Sequence, residues 1–222
     1  MRHTFFNQTK IIQVILLERD FMKTLNLTAA GRQVTVLVPD PLASGQEELQ
    51  ALWLIAPKGE DAGIWLEKTK AGEYAETAKA LLVCAPGEKE DSFYTQELWT
   101  VLHEQFPALS DAPGGHRLLG LNDSAERCLK FVFHYPERFC IAVAVCPTSA
   151  DHCQELLALV KDYMKAGNPR PRTVISDCAG GQGTCMGEAI NKYGVGLHIH
   201  GERPTGGWDL MDAEIKSCLA HL

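Results

Sequence analysis

No segment of this sequence reads as a membrane span. The most suggestive stretch, IIQVILL at residues 11–17, is short, carries Gln13 and is closed by Glu18, Arg19 and Asp20. A span needs roughly 20 apolar residues in a row. No small-residue cleavage signal follows that stretch, so residues 1–22 read as an added strand or a loose extension, with Met22 as an alternative first residue. There is no excess of basic charge: 21 Lys and Arg stand against 28 Asp and Glu, a net charge of −7. Neither nucleic acid nor an anionic membrane surface is an expected partner. The phosphate-binding signatures are absent too. GGQGTCMG, residues 180–187, is glycine-rich, but it has neither the Lys-Ser/Thr pair of a phosphate loop nor the downstream acid of a dinucleotide site.

Metal-ligand spacing is also missing. No CxxC occurs; His198 and His200 share a strand face without a third partner, and Asp151, His152 and Cys153 are consecutive and point apart. No cofactor and no metal is expected. The eight cysteines lie in a chain without a secretory leader, so reduced thiols and a cytoplasmic setting are expected. No linker, internal repeat or low-complexity tract divides the 222 residues, which read as one domain with an ordinary core: 45% are hydrophobic and the mean hydropathy is −0.10.

What is present is an alternation of strands and helices. Residues 24–29 and 32–38 flank Ala30-Gly31 as a hairpin. Buried strands are expected at 51–57, in the run ending at Pro86, and at 116–121, 139–147, 171–178 and 194–200. Helical spacing marks 91–106, 124–135, 149–167 (with Ser149 as its cap), 184–193 and 209–221. Strands that are apolar on both faces and alternate with helices predict an α/β three-layer sandwich, its central sheet mostly parallel and opened by an antiparallel hairpin.

Within this pattern LLGLNDSAERCLKFVFHYPERF, residues 118–139, has the layout of a strand, a sharp turn and a helix. Hydrolases lift a nucleophile on such an elbow. Here the apex is Asn122, whose amide is not an activatable nucleophile. A second elbow-like string, GTCMG at 183–187, centres on Cys185, but AGGQ separates it from its strand.

Several segments together resemble the esterase branch of the α/β-hydrolases, the group of tributyrin and feruloyl esterases and S-formylglutathione hydrolase. They are RQVTVLVPD, ALWLIAPKGEDAGIW, DSFYT, LLGLND, FHYPERF, ISDCAGGQ and VGLHIHGERPTGGWD, in family order over residues 25–220. The resemblance implies an α/β-hydrolase-like domain, with residues 148–170 as a reduced cap. It also implies where the chemistry would be, and there the residues differ. The His-Gly pair of the oxyanion loop falls on Ala56 and Pro57, the nucleophile on Asn122, the acid on Gln182 and the histidine on Trp208. An indole cannot accept a proton as a general base, and proline offers no N–H to an oxyanion. Trp65 and Asp123 are then candidates to line the former pocket.

The expected protein is a non-catalytic, esterase-like binding or assembly module, and homo-oligomers are expected by analogy with the fold; no ligand is assigned. The alternative is an ester or thioester hydrolase with relocated residues: Ser124 or Cys185 as nucleophile, partnered by His200 and Asp177.

Overall fold

The computed structural model describes residues 22–39, 48–75, 78, 80–147, 153–177, 183–199 and 207–220. The chain starts with the hairpin β1 (Met22–Ala29) and β2 (Arg32–Pro39), followed by β3 (Gln50–Ile55). Two one-turn helices, α1 (Ile64–Lys68) and α2 (Ala71–Ala75), lead to β4 (Ala80–Ala85). After α3 (Trp99–Gln105), units of strand and helix repeat: β5 (His116–Leu121), α4 (Asp123–His134), β6 (Ile141–Val145), α5 (Cys153–Lys165), β7 (Arg172–Ser176), α6 (Gly183–Lys192), β8 (Gly196–Ile199) and α7 (Gly207–Ala220).

The strands form one sheet in the order β1-β2-β4-β3-β5-β6-β7-β8. β2 pairs antiparallel with both β1 and β4, and every other pairing is parallel. The side-chain period of two explains why both faces are covered. Along β3, Ala51, Trp53 and Ile55 enter one core, shared with Leu102, Phe131, Leu156 and Ile190 of the helical layer formed by α3 to α6. Leu52, Leu54 and Ala56 enter the other, with Trp65, Ala71, Met211 and Ile215 of α1, α2 and α7. The parallel strands therefore end together, and the C-terminal ends of β3, β5, β6 and β7 lie at one end of the sheet, where α/β folds bind ligands.

The structure corrects the sequence expectations in three places. The helix expected over 91–106 contains a wider, π-helical turn at Phe93–Leu98 before α3 begins. That turn buries Phe93, Tyr94, Thr95 and Leu98 together, which an unbroken α-helix would place around its circumference. Residues 64–75, where no helix is expected from the sequence, form α1 and α2, each too short to show a helical period. The thiols were all expected to be reduced. Cys84, Cys128, Cys140, Cys146 and Cys218 are free, but Cys153, at the start of α5, is disulfide-bonded. Folding brings cysteines together across the chain, and sequence spacing does not register that proximity. The expected cap Ser149 lies outside the described residues.

Candidate functional site

The site is built on β5 and α4. Gly120 allows the first turn of α4 to lie on the strand: a Cβ there would be 2.4 Å from the Ser124 carbonyl oxygen and 2.8 Å from the Ala125 nitrogen. The chain reverses through Asn122, which has φ 58° and ψ −120°. These angles lie outside the left-handed basin that asparagine tolerates, so the apex is strained. It is pinned from both sides, because the Asn122 N–H donates to the Val145 carbonyl (3.0 Å) and its own carbonyl accepts from the Ala125 N–H (3.2 Å).

Strain of this kind costs about 1–3 kcal/mol, whereas glycine enters such angles without a Cβ penalty at some cost in chain entropy. Asn122→Gly is therefore expected to stabilise the fold by about 1 kcal/mol, read as a higher urea midpoint with an unchanged slope. A lower midpoint would show that the asparagine side chain itself holds the turn.

Ser124, two residues beyond the apex, is buried. Its hydroxyl accepts the Leu121 N–H (2.9 Å) and faces two acceptors for its single proton, the carbonyls of Ile55 (2.7 Å) and Leu121 (2.8 Å). The side chain thus stitches α4 to the ends of β5 and β3.

An oxyanion hole needs free amides from the loop after β3 and from the residue after the apex. From Ala56 to Glu60 the loop amides are engaged or missing. Ala56 donates to the Ala85 carbonyl (3.0 Å), Gly59 to Gly87 (3.2 Å) and Glu60 to Pro57 (3.0 Å), while Pro57 has no N–H. The Lys58 N–H donates to the Asp123 carboxylate, 3.2 Å from each oxygen. The residue next to the apex thus places its own anion against the loop amide that a substrate oxyanion would need. Sequence reading identified Asp123 only as a pocket candidate. The signal was its position at the first turn of α4, where carboxylates are favoured, but its partner 65 residues away was not legible.

The opposite wall is α7. Gly207 brings the start of that helix onto the elbow, since a Cβ there would be 2.6 Å from Leu121 Cδ1 and 3.5 Å from Cys146 Sγ. Next to it Trp208 stands edge-to-face on the fully buried Trp65, their ring centroids 5.4 Å apart. Among the described residues the Trp65 indole N–H has no hydrogen-bond partner. α7 is fastened to α2 by Asp212, whose carboxylate accepts the Tyr74 hydroxyl (2.7 Å) and the Lys70 N–H (2.7 Å).

Asp177 is buried just beyond the end of β7. Cys185 lies in the first turn of α6, and its side chain is outside the described set. Gln182 and His200 also lie outside the described residues. Burial pushes the Cys84 and Cys218 thiols up to about 12 and Cys128 higher still, so none of these three supplies a thiolate near neutral pH. Among the described residues no group of three side chains could hold a metal ion, and no helix is long and apolar enough to cross a membrane.

An open hollow beside the elbow, about 370 Å³, has the charged side chains Lys58, Asp91, Asp123, Glu126 and Arg127 in its wall together with Phe131. Arg127 is already held by the carbonyls of Glu88 and Lys89 and by the Asp91 carboxylate.

No family model matches the chain, and no curated protein matches it. Solved structures do. S-formylglutathione hydrolase from Staphylococcus aureus is 17% identical and aligns over 93% of this chain and 98% of its own, with a TM-score of 0.72. A substrate-bound fluorophosphonate-binding serine hydrolase of the same organism is 13% identical over 96% of this chain and 98% of its own, with a TM-score of 0.73. S-formylglutathione hydrolase from Agrobacterium tumefaciens is 16% identical over 94% and 97%, with a TM-score of 0.70. Likeness at such identities is likeness of fold, and the fold of this chain is that of the α/β-hydrolase esterases.

Proposed function

We propose that this chain is a non-catalytic esterase-like protein that acts by binding rather than by turnover. One observation carries the reading: the strained elbow carries an amide, Asn122, at its apex, and the amides of the loop after β3 are engaged or missing from Ala56 to Glu60. Acyl transfer needs a nucleophile that can lose a proton, a base to take it, and donors aimed at the developing oxyanion. At the apex the first is missing. The loop after β3 offers no free donor from Ala56 to Glu60, and the position matching the family histidine holds Trp208. In Ser124 the hydroxyl is committed to main-chain partners, so its use as a relocated nucleophile would require α4 to detach from β3.

The test is hydrolysis of short-chain p-nitrophenyl esters by the purified chain, alongside Ser124→Ala and Cys185→Ala. The expected result is no turnover above the buffer rate, with all three proteins alike. Turnover that disappears in either variant would instead establish the hydrolase with relocated residues.

A further inference from the structure

We propose that Asn122 is a site of spontaneous modification, at which the fold itself promotes closure of the side chain onto the next peptide nitrogen and hydrolysis of the resulting succinimide by water. The observation is the pair of backbone angles at the elbow, φ 58° and ψ −120°. In an L-residue Cβ stands one third of a turn from the backbone nitrogen about the Cα–C bond, on the negative side. A ψ of −120° therefore eclipses Cβ with the nitrogen of Asp123. The atoms Cγ, Cβ, Cα, C and that nitrogen are the members of the five-membered succinimide ring, whose planarity demands this eclipse. A helical ψ holds the following nitrogen about 80° away from it and an extended ψ about 105° away. Most asparagines must therefore leave their native conformation to react, whereas Asn122 is held in the reactive one by its bonds to Val145 and Ala125.

The attacking atom is also suitable. The Asp123 N–H is the first of α4, where helix amides have no intrahelical acceptor, and it has none among the described residues. It lies at the positive end of the helix dipole, which favours loss of its proton. Asn122 is half-buried, so water reaches the apex. The other described asparagines lack these features. Asn26 is in β1 and Asn191 is in α6, and Asn168 precedes Pro169, whose nitrogen has no proton to give.

In the first step the Asp123 nitrogen loses its proton and bonds to Cγ of Asn122. The Cγ–Nδ2 bond breaks, Nδ2 takes up a proton, and ammonia leaves. Water then opens the ring. Cleavage of the new Cγ–N bond gives aspartate at position 122, while cleavage of the original peptide bond gives an isoaspartyl link with one more methylene in the main chain. Nothing is oxidised or reduced. The first product puts a carboxylate, a group able to act as a covalent nucleophile, at the tip of the elbow beside Asp123.

The experiment incubates the full chain in mildly alkaline buffer, folded in one arm and unfolded in urea in the other. Peptide mapping by tandem mass spectrometry then follows the amide-to-acid mass change at each asparagine. Conversion at Asn122 is expected to be about tenfold faster in the folded arm, because the geometry is already that of attack, and to yield both products. Asn26 and Asn191 are expected to be slower folded than unfolded. Asn122→Gln, whose longer side chain cannot close a five-membered ring, is expected to lose the change. Equal or slower conversion at Asn122 in the folded arm would overturn the proposal, and so would the same mass change persisting at position 122 in the glutamine variant.

Discussion

Gly120→Ala is expected to cost about 3 kcal/mol or more of stability. The three atoms nearest the added Cβ are all main chain: the Ser124 carbonyl oxygen at 2.4 Å, its carbon at 2.6 Å and the Ala125 nitrogen at 2.8 Å. Rotation of a side chain cannot relieve these three contacts, so α4 must rise from β5. Rising pulls the Ser124 hydroxyl from its bonds to Ile55 and Leu121 and disturbs the layer under Phe131 and Val132, both fully buried. Gly114→Ala is the control. Nothing lies within 4 Å of a Cβ there, and its cost is expected to stay within about 0.5 kcal/mol. Urea denaturation of the two variants gives the comparison. Equal midpoints would mean that the elbow is looser than described.

Acid is expected to weaken the fold through His116. This ring lies in an aromatic cluster at the start of β5, at the opposite end of the sheet from the elbow, with Trp53, Trp99 and Phe139 around it. Its Nδ1 accepts the Trp53 indole N–H (3.1 Å), so Nε2 carries the proton and donates to the Ser110 carbonyl (2.5 Å). Burial lowers its pKa from 6.5 to about 4, and the nearby His103 works in the same direction; the Ser110 bond and Asp111 oppose them. Protonation would place a second N–H against that of Trp53.

Because the folded value lies below the unfolded one, the unfolded chain binds the proton first. The contribution is complete above about pH 6.5 and is lost as the pH falls toward about 4. Across that window about 3 kcal/mol should disappear, at 1.36 kcal/mol per unit of pKa difference. The measurement is the urea midpoint against pH for the wild type and His116→Gln. The variant should start lower at neutral pH and decline less steeply below it. Parallel curves would remove His116 as the cause.

The sandwich was legible because the strands advertise themselves. LWLI, LLVC and AVAV are apolar on both faces, which only a sheet covered twice requires. The elbow was legible as architecture for a related reason: an apolar run, Gly120 and a helix start stand in immediate succession. Features that depend on tertiary proximity were not. Nothing in the sequence links Lys58 to Asp123, Gly207 to Leu121, or the Trp53 indole to His116. Nor could the sequence show which cysteine would find a partner, since Cys153 differs from the others only in where folding takes it. The two short helices at 64–75 were hidden by length, as five residues cannot display a period of 3.6.

The proposed loss of chemistry at the elbow is open to one direct measurement. The purified chain is exposed to a fluorophosphonate, which bonds covalently to an activated serine, and the intact protein is weighed. With Asn122 at the apex and the Ser124 hydroxyl turned to Ile55 and Leu121, the mass is expected to remain that of the unmodified chain. A phosphonylated species mapped to Ser124 or any other serine would contradict the non-catalytic reading.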